Sequence, residues 1–427
     1  MKLKQLGILL ISLLIAQVFL NYSSLINAHA EQKTPDIFIG IDVAYENLTE
    51  IKKLIDEVSS YTNLFVIGCT GITHNPAKLD ETCQYLYDKG LSFIIYSEWP
   101  PQTGWLESAK TRWGDRFLGF YAFDEAGGHQ LDLQRYRWVW DADNYTDAAT
   151  QFNNDMDMTL NWFKTNYTSS TNYPLFTSDY ALYWFDYKAG YDTLFAEFGW
   201  NYSRQLNIAL CRGAATAQNK DWGVIIAWTY TDPPYIESGK ELYADLTLAY
   251  ENGAKYIVIL NTNEDYTQGI LEQEQLNALK QFWQYVQDNP RKSAPISDRV
   301  AYVLPKDYGY GFRGPNDKIW GLWEADAFSY NISKNVGTLL EEYGSELDII
   351  YDDGLEPNNT YGYSKLIYWN VSSLPPSPSP EPKTEVSLSM DYVYAIAVGA
   401  AITAVVAAAL VLKKRRQHYV GVNNVAK

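Results

Sequence analysis

The sequence predicts a (β/α)8 barrel over residues 31–290, followed by a small α/β domain over residues 291–370. Three observations carry the barrel. Apolar β-type runs alternate eight times with segments of helical periodicity, over roughly 250 residues, the size of such a barrel. Gly90 and Gly253 stand where helix-ending glycines belong, immediately before the next apolar run. The runs also end on acids, and functional groups in parallel sheets and barrels gather at the carboxyl ends of the strands.

In order, the strands are Ile37–Asp42, Leu64–Gly68, Leu91–Ser97, Phe117–Asp124, Leu175–Asp179, Leu194–Glu197, Gly223–Tyr230 and Tyr256–Asn261. The helical segments between and after them are Leu48–Ser59, Pro76–Lys89, Trp105–Arg112, Tyr145–Asn166, a short piece at Asp186–Gly190, Arg204–Asn219, Lys240–Asn252 and Leu271–Asp288. Tyr180–Asp192 is short and aromatic, the least helix-like of the connections. The fourth strand is the most informative, because its run FLGFYAFDEAGG stops on two adjacent carboxylates, Asp124 and Glu125, and then a flexible glycine pair.

Beyond Pro290 the pattern gives a strand Val300–Leu304, a glycine-aromatic loop, a helix near Ser333–Tyr343 and strands Leu347–Tyr351 and Leu366–Tyr368. Residues 371–389 are rich in Pro and Ser and read as an extended stalk. Residues 390–412 contain a charge-free run of 21 residues from Tyr392 to Leu412, long enough for a single transmembrane helix. Lys413, Lys414, Arg415 and Arg416 follow it, so the tail 413–427 is expected on the cytoplasmic side. Residues 1–30 have the basic start, apolar run and Ala28-His29-Ala30 ending of a secretory signal peptide. The expected location is therefore the cell membrane, with the ectodomain outside.

Residues 31–389 carry 27 Lys+Arg against 50 Asp+Glu, a net charge of −23, which repels nucleic acid. Seven Asn-x-Ser/Thr sequons, at Asn47, Asn144, Asn166, Asn201, Asn331, Asn358 and Asn370, fit an exported chain. Three cysteines exclude a disulfide framework and leave room for one bridge, with Cys69 and Cys83 the local pair. Between signal and tail only His74 and His129 remain, without metal-binding spacing, and no GxSxG elbow is present. The GxGxxG match at Gly309–Gly314 is followed by Pro315 where a helix would start, so it reads as a packing loop or an edge of the cleft. No metal and no cofactor are expected.

The predicted strand exits place Asp42, Glu98, Asp124, Glu125, Asp179, Glu197, Asp232 and Asn261 on one rim. Tyr96, Trp99, Trp228 and Tyr230 are interleaved with them, flat surfaces of the kind on which sugar rings stack. Carboxyls for proton transfer beside aromatic platforms form the composition of a carbohydrate cleft. Glycosidic cleavage takes two carboxyl groups, one protonated and one ionised. Glu125 is the first choice for the acid, and Glu197 and Asp232 compete for the partner, with Glu98 behind them. In an extended strand Asp124 and Glu125 face opposite sides, so one points into the mouth and the other anchors the Gly127-Gly128 loop. Structural roles compete with each assignment: a helix cap for Asp42, a turn before Pro233-Pro234 for Asp232, an ion pair with Arg135 or Arg137 for Glu125.

With its fourth strand ending in Asp124-Glu125, the chain resembles the TIM-barrel glycoside hydrolases, whose acid/base commonly follows strand four. The domain after the barrel is similar to that of β-galactosidase-type enzymes that append an amidotransferase-like module, and the layout of signal, stalk and anchor resembles archaeal surface proteins. The resemblance matches one catalytic position, Glu125. It departs where the large retaining clan has Asn-Glu and this chain has Asp124-Glu125, and after strand seven, where Asp232 stands in place of a nucleophilic Glu. It implies a membrane-anchored glycoside hydrolase acting on a polysaccharide or glycoprotein glycan. The alternative is a non-catalytic carbohydrate-binding or surface-layer-associated protein on the same scaffold.

Overall fold

A computed structural model describes residues 37–97, 103–133, 136–167, 173–291, 295–353 and 361–370. Eight parallel strands close into a barrel in sequence order: β1 Phe38–Val43, β2 Leu64–Ile67, β3 Ser92–Tyr96, β4 Phe117–Tyr121, β5 Leu175–Asp179, β6 Thr193–Phe198, β7 Asp221–Ile226 and β8 Tyr256–Leu260, with β8 pairing back onto β1. The fold is a TIM barrel. Around it run α1 Leu48–Val58, the short α2 Thr70–Thr73, α3 Pro76–Asp88, α4 Thr103–Trp113, α5 Ala126–Asp132, α6 Tyr145–Tyr167, α7 Tyr183–Lys188, α8 Arg204–Ala217, α9 Gly239–Glu251 and α10 Gln273–Asp288.

Local chemistry sets the helix starts. Asn47, Asn75 and Ser203 each accept backbone N–H groups of the first turn, and Ser238 with Glu241 forms a reciprocal capping box. The barrel interior is filled by alternate residues of its strands, among them Val66, Ile94, Tyr121, Phe176, Phe195, Ile225 and Val258. This period of two decides which residues at the strand ends face the mouth.

Two differences from the sequence reading bear on the site. Strand β7 stops at Ile226, short of the predicted Tyr230, and β4 stops at Tyr121, short of the predicted Asp124, because the chain there leaves the extended conformation: Phe123 and Glu125 take left-handed φ values of 56° and 52°. The glycine pair after them is not a flexible loop but the first turn of α5.

A second sheet of three parallel strands, ordered β10-β9-β11, comprises β9 Val300–Leu304, β10 Leu347–Tyr351 and β11 Lys365–Tyr368, with α11 Ala327–Tyr343 between β9 and β10. It belongs to the same compact unit as the barrel. Gly213 on α8 permits the contact: a Cβ there would lie 2.4 Å from the Ile349 carbonyl oxygen. Beside it Asp348, fully buried, meets Arg212 Nε at 2.7 Å, Arg299 Nη1 at 2.7 Å and the Tyr363 hydroxyl at 2.8 Å. The loop 309–314 opens no helix; nearby Trp320 is buried against Phe152 and Phe185, and its carbonyl accepts the Gln130 amide at 2.9 Å.

All three cysteines are free and buried, so the one bridge the sequence left room for, Cys69–Cys83, is not formed. Among the described residues no helix is long and apolar enough to cross a membrane; the expected signal, stalk, transmembrane run and tail lie outside the described residues, as do Glu98, Trp99 and Arg135.

Candidate functional site at the barrel mouth

The strand period places Asp42, Tyr96, Ser178 and Glu197 in the top interior layer, each on the face of its strand that fills the barrel. Asp124 and Glu125 join them from the β4–α5 connection. Left-handed Phe123 and Glu125 break the strand alternation, so both carboxyls reach the acid cluster rather than one, and burial and their charge together act on Glu197.

At the centre, the Ser178 hydroxyl oxygen lies 2.7 Å from Glu197 Oε1 and 3.0 Å from Asp124 Oδ1. The two carboxyl oxygens are therefore at most 5.7 Å apart, the length of the two contacts laid end to end. A serine has one proton to donate, so the second contact is a hydrogen bond only when a carboxyl brings its own proton. Tyr121 donates to Asp124 Oδ1 and accepts the Ser178 N–H at 3.1 Å. The assignment that satisfies every donor has Glu197 protonated and donating to Ser178, with Ser178 and Tyr121 both donating to an ionised Asp124.

The electrostatics agree with that order. Burial, then the charges of Glu125 and Asp124, pushes Glu197 well above the usual carboxyl range. Asp124 is raised to about 7 by burial and the Glu125 charge, partly offset by its Tyr121 and Ser178 donors. Asp42 is raised to about 8, by burial and then by Asp124; its Oδ1 is sealed and unpartnered. Glu125 is the more open acid, its side chain 32% exposed, and it lies 3.3 Å from His129 Nε2, one turn along α5. That contact, the largest cause, raises the imidazole toward its charged form. Neither Arg137 nor any other Arg or Lys among the described residues pairs with Glu125; Arg137 bonds the Gln130 and Leu131 carbonyls instead.

Asp179 faces outward, one residue past Ser178. Its oxygens accept the N–H groups of Gly127, Gly128, Tyr180 and Ala181 at 2.6–2.9 Å, and it, not Asp124, anchors the glycine pair. Burial first raises Asp179, to about 6, and raises the neighbouring Asp186 well above the usual carboxyl range. Gly128 leaves room for the Tyr180 ring, 2.2 Å from where a Cβ would stand, and Tyr180 stacks on Tyr202 at 5.6 Å. Arg313, from the glycine-rich loop, pairs with Asp132 at the end of α5, so that loop also edges the mouth.

The remaining nominated residues divide. Tyr96 packs on Tyr121 at 5.5 Å, inside the mouth. Asn261 Oδ1 accepts the Ile270 and Leu271 N–H groups and pins the β8–α10 loop. Trp228 donates to the Thr262 carbonyl at 2.8 Å. Tyr230 and Asp232 are exposed and line, with Trp200, a separate groove of about 510 Å³. Sequence reading missed Ser178 and Tyr121. Only the parity of Ser178 with Phe176, two residues earlier on β5, offered a signal.

No family model and no curated protein matches the chain. Among solved structures, a β-1,4-D-mannanase from Cryptopygus antarcticus is 10% identical, covering 57% of this chain and 89% of its own, with a TM-score of 0.39. An endoxylanase from Clostridium papyrosolvens is 12% identical over 60% and 73%, with a TM-score of 0.37. A 3-keto-L-gulonate-6-phosphate decarboxylase from Vibrio cholerae is 10% identical over 58% and 98%, with a TM-score of 0.28. At such scores these likenesses say nothing of chemistry, and the site has to be read from its own geometry.

Proposed function

We propose that the barrel mouth is the active site of a glycoside hydrolase, in which Glu197 is the general acid and Asp124 its ionised partner. The observation that carries this is the pair of carboxyl oxygens bridged by Ser178, at most 5.7 Å apart; one serine proton between two acceptors is satisfied when one carboxyl carries a proton and the other does not. One protonated and one ionised carboxyl is what glycosidic cleavage takes, and about 5 to 5.5 Å is the spacing of the retaining class. Glu197 protonates the leaving oxygen as the bond breaks. Asp124, steadied by Tyr121, attacks the anomeric carbon from the other face; water then releases the sugar, with Glu197 as base. Glu125, first choice for the acid on sequence, takes a different part: held 3.3 Å from His129 Nε2 at the more open edge of the mouth, it is suited to holding sugar hydroxyls. Asp179 supports α5. The signal-like start and the apolar run before Lys413 in the sequence support a reading in which this activity lies outside the cell on a membrane anchor, acting on a polysaccharide or a glycoprotein glycan.

Full-length protein incubated with a broad glycan panel should release reducing sugar from at least one member. Asp124→Asn should lower kcat by about 10²- to 10⁴-fold, and Glu125→Gln should act mainly on KM. No release from any glycan would leave the mouth a binding site without catalysis, and full activity in Asp124→Asn would remove it from the mechanism.

A further inference from the structure

We infer that the groove between the β6–α8 and β7–α9 loops is a second carbohydrate contact, a subsite for a neutral sugar ring with Asp232 as its polar anchor. It rests on the carbohydrate reading of the mouth and extends it, because Trp200 follows Glu197 by three residues on the same rim. A glycan cut at Glu197 would run on over Trp200.

The groove has the attributes of a ligand site. Its volume, about 510 Å³, falls within the span of small-molecule pockets. One wall is Trp200 and the other the run 229–234. Trp200 and Tyr230 are 37% and 46% exposed, flat apolar faces suited to the C–H side of a pyranose. On the same wall as Tyr230 is the exposed Asp232 carboxylate, which accepts from the Thr231 hydroxyl at 3.4 Å. A carboxylate only accepts, through two oxygens side by side, which matches a pair of adjacent sugar hydroxyls. Among the described residues no Lys, Arg or His lines the groove. An anionic sugar, a uronate or a sulfated or phosphorylated residue, would meet Asp232 and a chain of net charge −17 with no cation to balance it. The chemistry selects a neutral ring.

The walls are built before a ligand arrives. Trp200 sits at φ 44°, a left-handed conformation uncommon outside glycine, and its N–H donates to the Trp228 carbonyl at 2.8 Å. Arg204 Nη1 donates to the carbonyls of Gly199 and Tyr202 at 2.9 and 3.0 Å, and its Nε to Asp245 on α9 at 2.9 Å. One guanidinium thus ties the Trp200 loop to the helix that follows the opposite wall. On that wall the N–H groups of Thr229 and Tyr230 both donate to the Tyr235 carbonyl, at 2.7 and 3.0 Å. Fixed walls lower the ordering cost of binding, and held conformations of this kind gather at ligand sites.

Isothermal titration calorimetry on the full-length Glu197→Gln protein tests this, with short neutral manno-, cello-, xylo- and galacto-oligosaccharides and with oligogalacturonides as the anionic counterpart. Saturable binding of at least one neutral series is expected, with no binding of oligogalacturonides and about tenfold weaker binding in Trp200→Ala, Tyr230→Ala and Asp232→Asn. Tyr230→Ala alters an exposed ring and guards against misfolding at the left-handed Trp200. Unchanged affinity in both aromatic variants, or equal binding of oligogalacturonides, would overturn the subsite. The two readings fail separately: binding through the groove with no hydrolysis of any glycan overturns the hydrolase alone, and hydrolysis with an unchanged KM in Tyr230→Ala overturns the subsite alone.

Discussion

Two buried acid centres in this molecule are built on opposite plans. Under the second sheet, Asp348 is met by Arg212, Arg299 and the Tyr363 hydroxyl, so each of its oxygens has a cation beside it. At the barrel mouth Asp42, Asp124, Glu125 and Glu197 share one region, and the only ion pair any of them makes among the described residues is Glu125 with His129. A carboxyl buried with cations serves as a fastener. Glu197, buried among other carboxyls, is raised well above the usual carboxyl range and so keeps the proton that acid catalysis requires.

The largest effects should separate the two plans. Glu197→Gln keeps the shape and removes the donated proton, so kcat should fall by about 10²- to 10⁴-fold while urea unfolding shows no loss of stability. Asp348→Asn should do the reverse. It leaves the buried Arg212 and the half-buried Arg299 without their carboxylate, a cost of about 3 to 5 kcal/mol, while the protein that remains folded turns over normally. If Glu197→Gln destabilises as much as Asp348→Asn, the mouth is a fastener too and the contrast collapses.

A smaller effect tests the mouth by pH. Asp42 has a folded value of about 8 against an ordinary 3.8, because burial and then Asp124 disfavour its charge. Its folded state binds the proton more tightly than the unfolded state does. The contribution to stability is full below about pH 4 and is lost as pH rises through about 8. Asp42→Asn should leave stability little changed in acid and raise it above pH 8, flattening the decline seen in the native protein. A parallel decline in both proteins would mean that Asp42 carries none of it.

The same contrast explains what was legible in the sequence. Strands were legible because each is an apolar run bounded by polar or glycine residues; β9 and β10 fall where read, at Val300–Leu304 and Leu347–Tyr351. The acids on the rim were legible because a carboxylate at the end of an apolar run is conspicuous. Their roles were not. Whether Asp124 and Glu125 face the same way depends on two left-handed residues, Phe123 and Glu125, that no side-chain propensity announces. Ser178 is an ordinary residue until Asp124 and Glu197, 54 and 19 positions away, close on it. Asp179 looked like a ligand group and is a backbone anchor, which follows only from knowing that Phe176 fills the interior.

The smallest effect concerns His129, the cation beside Glu125. His129 is raised above its ordinary 6.5, chiefly by its hydrogen bond to Glu125. The pair therefore contributes fully on the acid side of 6.5 and fades as pH climbs through the folded value. Both side chains are about a third exposed or less, at 27% and 32%, so the contribution is about 0.5 to 1 kcal/mol after solvent screening. His129→Asn should cost that amount below 6.5 and nothing in alkali. Asp42→Asn behaves oppositely, near neutral in acid and stabilising in alkali, although both native groups have values shifted upward. Urea midpoints for the two variants at both ends of the range distinguish a favourable pair that dissolves from an unfavourable charge that forms. A cost for His129→Asn that persists in alkali would assign the imidazole to packing against Tyr136, 5.8 Å away, and would leave Glu125 without its cation in the mechanism.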